Sequence, residues 1–84
     1  MRPEDLLPDD QDHVQRDGLT VRKGSVGAFL ANARLLQDPA ASHADRASAE
    51  RDLRALLPGL HALGLFDVLV PRDPALRQLV ERSR

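Results

Sequence analysis

The chain has 84 residues, 42% apolar and 30% charged, with a net charge of −1; this fits one folded domain with one core and excludes wholesale disorder. Cysteine is absent, which removes disulfides and thiolate metal sites. No stretch approaches the ~20 apolar residues of a membrane span, and MRPEDLLPDD lacks the apolar run of a secretory signal, so a soluble, cytoplasmic protein is expected.

Residues 1–12 contain Pro3, Pro8 and clustered acids, and show no apolar period of 2 or 3.6. They are expected to form a disordered acidic tail, although Leu6 and Leu7 could dock on the folded part. Residues 13–84 are then a single small domain. The two parts differ in charge. Residues 1–17 carry six carboxylates against Arg2 and Arg16, whereas residues 18–84 carry ten bases against seven acids. The tail is acidic and the rest is mildly basic. Eleven of the twelve bases are arginine. With the abundant alanine, this bias reads as a GC-rich coding sequence and not as phosphate recognition.

Residues 13–22 (HVQRDGLTVR) predict a β-hairpin. Asp17-Gly18 suits a type I′ turn, which needs positive φ at both central positions. A turn there sets Val14 opposite Val21 and places Val14, Leu19 and Val21 on one face. Gly24 ends the second strand, and Ser25 is the expected N-cap of a helix over 25–37. Val26, Phe29, Leu30, Ala33 and Leu36 recur on one face of that helix. Pro39 stops it, because a residue before proline is pushed out of the helical region.

Residues 38–43 read as a linker. Ser42 and Asp45 form a capping-box-like pair at the start of a second helix, from about residue 44. Its apolar face is Ala49, Leu53, Leu56, Leu57, Leu60 and Leu63, a phase that continues across Pro58. Either the helix kinks at Pro58 or a new helix starts there; the unbroken phase favours the kink. Gly64 is a natural stop. Residues 65–70 (LFDVLV) fit a buried strand or a helical turn equally well. Asp73-Pro74 offers a cap followed by proline at the first helical position, opening a short last helix over 74–82. The expected fold is therefore mainly α (α+β): two amphipathic helices, a short C-terminal helix and a small N-terminal β-hairpin.

Candidate chemistry is sparse. Arg22, Lys23, Gly24 and Ser25 precede a helix whose free N–H groups could hold an anion. The order is Lys-Gly-Ser and not the Gly-Lys-Ser of a P-loop, and the upstream glycine is missing. His13, His43 and His61 match no metal-binding spacing, and His61 reads as a structural imidazole. The tail aspartates lack the pattern of a calcium loop. Arg46, Arg51 and Arg54 alternate with Asp45, Glu50 and Asp52, and Glu50 to Arg54 is the favourable i, i+4 pair. That self-neutralised face, without surface aromatics, argues against nucleic acid as a partner. Ser25, Ser42 and Ser48 each have a cap or linker role and no activating base, so no enzyme, cofactor or metal is expected.

The segment Gly24-Ser25-Val26-Gly27-Ala28-Phe29-Leu30 followed by Asn32-Ala33, together with Leu57-Pro58-Gly59-Leu60 and Gly64-Leu65-Phe66-Asp67, resembles a family of small uncharacterised bacterial proteins (a domain of unknown function). The resemblance covers residues 18–70 and implies a small bacterial soluble protein. It implies no activity, ligand or site residue.

Phe29 and Phe66 are the only aromatics, so the core is chiefly Leu, Val and Ala. A core of ~70 residues rarely supplies more than about 3–5 kcal/mol. Self-association as a homodimer is the expectation that follows, with Leu35 and Leu69 as exposed apolar contacts. The leading reading is a non-enzymatic protein–protein interaction module. The alternative is a small DNA-binding or regulatory protein.

Overall fold

The computed structural model describes residues 24–84 in full. Upstream of them it gives only the backbone of two paired antiparallel segments, His13–Arg16 and Leu19–Arg22. The Asp17-Gly18 turn, every side chain of that segment and the tail over 1–12 lie outside the described residues. Residues 24–84 are mainly α, with no strand among them.

The first helix, α1, spans Ser25–Gln37. Ser25 is not its cap but its first residue. Gly24 occupies the cap position with φ +90° and no side-chain bond, and its carbonyl accepts the Ala28 N–H at 2.8 Å. The left-handed backbone needed there is strained for any residue with a Cβ, so the glycine takes the position and the serine moves inside. Asp38 ends α1 in extended conformation, as a residue before proline should. Its carboxylate accepts the Ala40 N–H at 2.9 Å, and its carbonyl accepts from Ala41 N–H at 3.1 Å and from Arg46 Nη2 at 2.6 Å. One aspartate thus organises the connection to the next helix.

That helix, α2, spans His43–Leu63. Ser42 Oγ accepts the Asp45 N–H at 3.0 Å, which satisfies one of the free donors of the first turn. The helix runs through Pro58 as a single element, so no second helix starts there. Pro58 is itself exposed. It removes the hydrogen bond that the Arg54 carbonyl would otherwise accept, and the leucines on either side compensate by packing on one face. Gly64, at φ +92°, closes α2 and turns the chain into α3, the single turn Leu65–Val68. The strand alternative for residues 65–70 is not adopted. Phe66 is buried, while Val68 and Val70 face outward. The last helix, α4, spans Pro74–Arg82. Asp73 Oδ2 accepts the Leu76 N–H at 2.9 Å, and Pro74 takes the first turn, where a missing N–H costs nothing.

Phe29 and Ala33 of α1, Leu53, Leu57 and Leu60 of α2, Phe66 of α3, and Leu79 and Val80 of α4 form one core. Leu36, Leu56, Leu65 and Leu76 pack around it. Along the apolar face of α2, Leu53, Leu57 and Leu60 are fully buried, while Leu56 and Leu63 are partly buried. Burying one such side chain contributes about 1.5–3 kcal/mol. Phe29 and Phe66 meet at 5.5 Å between ring centroids, tilted by 59°, an edge-to-face tendency that locks α1 onto α3.

Candidate functional site

The core consumes only part of the apolar face of α1. Phe29 and Ala33 are buried, but Val26 and Leu30, one turn apart on the same helix, are 40% and 48% exposed. Across from them, the chain leaves α3 at Leu69 in extended conformation. Val70 precedes Pro71, which also excludes helical backbone. The resulting strap exposes Val68, Leu69 and Val70 at 82%, 59% and 66%. α1 and the strap flank an open groove of about 450 Å³, floored by Phe29, Leu65 and Phe66. Arg34 and Arg72 stand among its lining residues, and no carboxylate does among the described residues. The groove is thus apolar inside and positively charged at its edge.

A second concavity, of about 310 Å³, lies where α2 faces α4 and is lined by Glu50, Arg54, Asp73 and Arg82 among others. Its charges are occupied locally. Arg54 Nε lies 3.7 Å from Glu50 Oε2, the i, i+4 pair that the sequence predicts, and Asp73 is engaged as a helix cap.

Leu69 lies in the groove as an exposed apolar contact. Leu35 is half-buried and does not line the groove. Gly24 and Ser25 open α1 as described, and the side chains of Arg22 and Lys23 lie outside the described residues. Sequence reasoning did not single out Val26, Leu30, Val68 and Val70 as surface residues. The signal for the strap was available: a six-residue segment, five of its residues apolar, closed by proline has too few residues to bury both ends.

His61 is placed as a structural residue. Ser83 Oγ donates to the Val80 carbonyl at 2.6 Å, so it accepts from His61 Nε2 at 2.7 Å. The Val80 carbonyl, 3.0 Å from the same nitrogen, can only accept. Both partners therefore put the proton on Nε2. The ring stacks at 5.1 Å against Phe66, tilted by 58°. Nδ1 is buried without a partner. His43 is exposed at the start of α2. Among the described residues no group of His, Asp and Glu could hold a metal ion, and no helix is long and apolar enough to cross a membrane. Arg84 fastens the end of α4 to α3, donating from Nη2 to the Phe66 carbonyl at 2.9 Å, with Nη1 3.4 Å from Asp67 Oδ1.

No protein-family model matches the chain, and the searches of curated proteins and of solved structures also return no match. The functional reading therefore rests on the groove and its chemistry.

Proposed function

We propose that this chain is a small bacterial, cytoplasmic, non-enzymatic interaction module that self-associates through the groove between α1 and Leu69–Val70 of the strap, with the exposed Val68 beside it. The same reading takes residues 13–22 as a β-hairpin completing an α+β fold. One observation carries it: five apolar side chains, Val26, Leu30, Val68, Leu69 and Val70, lie exposed on one small domain, three of them in consecutive positions. Burying apolar surface contributes about 25 cal/mol per Å². A second copy supplies that burial in a domain whose own core is small. Two of the polar groups near the second concavity support a non-enzymatic reading, Asp73 being a helix cap and Glu50 lying beside Arg54.

Light scattering coupled to size exclusion tests the reading. The wild-type chain is expected to run as a dimer and Leu30→Glu as a monomer. Leu30 is half exposed, so the substitution leaves the buried core intact and the melting temperature little changed. A wild-type chain that stays monomeric at all accessible concentrations would defeat the proposal.

A further inference from the structure

We infer that Arg84 is the positioning residue of the groove: its guanidinium caps α3 from eighteen residues away and so sets where the helical turn ends and the strap begins. This rests on reading the groove as the self-association surface, and it names the contact that holds that surface in shape.

Part of the groove is built from a segment that cannot hold itself. α3 is a single turn of four residues. Isolated helices shorter than ~12–15 residues are marginal in water, because nucleation fixes several residues for one hydrogen bond. Leu65 and Phe66 of this turn line the groove, and Leu69 and Val70 follow them directly. The Phe66 ring is held by packing against Phe29 and His61, but ring packing does not decide what the backbone does next. A helix leaves its last carbonyls without partners. In α3 the Leu65 carbonyl accepts the Leu69 N–H at 3.0 Å, whereas among the described residues no backbone N–H reaches the Phe66 carbonyl. Its partner is Arg84 Nη2, at 2.9 Å. A cation there satisfies the orphan carbonyl and opposes the partial negative charge at the helix end. With that carbonyl taken, Val70 need not continue the helix, and the chain departs as the strap.

The root of Arg84 is fixed. Val80 is fully buried, and Ser83 Oγ accepts from His61 Nε2 at 2.7 Å, so the end of α4 is tied to α2. Glu81 Oε2 meets Arg84 Nε at 3.0 Å and Asp67 Oδ1 lies 3.4 Å from Nη1, which leaves Nη2 for the carbonyl. A guanidinium presents its donors as a rigid fork, so engaging two edges aims the third. Both carboxylates are more than half exposed, and such ion pairs contribute little on their own. The charge-assisted bond to the part-buried carbonyl is the stronger contact. Arg84 does not itself line the groove, so it acts there only through α3.

Arg84→Ala leaves every buried core residue in place and tests the assignment. In nuclear magnetic resonance spectra of this variant, the Cα shifts of Leu65–Val68, helical in the wild-type chain, are expected to move toward random-coil values. Light scattering coupled to size exclusion is expected to show the dimer dissociation constant raised about tenfold, in keeping with the loss of one hydrogen bond to a charged group. Asp67→Asn removes an exposed ion pair and keeps the carbonyl contact, so both readings are expected to stay near wild type. Ser42→Ala, outside the groove, is expected to lower the melting temperature while the α3 shifts hold, which separates positioning from a general loss of stability. Helical α3 shifts in Arg84→Ala would overturn the inference. So would an Asp67→Asn chain that behaves like Arg84→Ala, a Ser42→Ala chain that unwinds α3, or a dimer of unchanged affinity with α3 unwound. A monomeric wild-type chain defeats self-association alone, and the α3 shifts then decide the positioning role by themselves.

Discussion

At the scale of single residues, the ends of the helices are set by side chains whose role depends on their immediate neighbours. Asp73 and Ser42 each accept a backbone N–H three residues on, at 2.9 and 3.0 Å. Both are readable in sequence because an oxygen-bearing side chain before a helix has one obvious donor to meet. Asp73→Ala is expected to destabilise the chain by about 1 kcal/mol, and Asp73→Asn by much less, in urea unfolding monitored by circular dichroism. Gly64 behaves differently. At φ +92° the cost of a side chain is conformational, since an added Cβ would meet only Asp67 Oδ2 at an ordinary 3.7 Å. Gly64→Ala is expected to lose about 1–2 kcal/mol without any clash, measured the same way. Ser25 shows the opposite lesson. Its hydroxyl made it a candidate cap, but the neighbouring glycine can adopt the backbone angle the entry needs, and it displaced the serine by one position.

At the scale of elements, α2 is the organising rod. Its leucines at 53, 57 and 60 keep one helical phase across Pro58, and their burial holds the helix together where the proline weakens it. Because Pro58 is exposed, replacing it with alanine removes a helix-breaking residue without opening a cavity. Pro58→Ala is therefore expected to raise the melting temperature, with up to about 3 kcal/mol of added stability. A lower melting temperature would mean that Pro58 itself contributes to the packing of the helix. Residues 65–70 could not be resolved by pattern, since so short a segment, five apolar residues and Asp67, fits two periods. The tertiary structure resolved them through Phe66, whose ring packs against both Phe29 and His61 and pulls the segment into a helical turn.

At the scale of the whole molecule, the balance between covered and uncovered apolar surface decides both stability and function. The core draws on all four helices, so removing part of it is felt everywhere. Leu60→Ala is expected to cost about 2–5 kcal/mol, comparable to the entire stability of a domain this small, and to abolish a cooperative thermal transition. Retention of the transition with a small shift would show that the site collapses around the missing atoms. The uncovered surface is the groove. Arg34 and Arg72, distant in sequence, both line that groove.

The sequence by itself determined α1, α2 and α4, the caps at Ser42 and Asp73, the stop at Gly64 and the leucine phase of α2, because these depend on contacts within a few residues along the chain. Only the tertiary structure decided how much of the α1 face is covered, whether residues 65–70 turn or extend, and that Val26, Leu30, Leu69 and Val70 share one groove. Periodicity specifies which side of a helix is apolar. The extent of its burial depends on the size and position of distant elements, and Val26 and Leu30 in the first turns of α1 stay exposed although the core draws on all four helices.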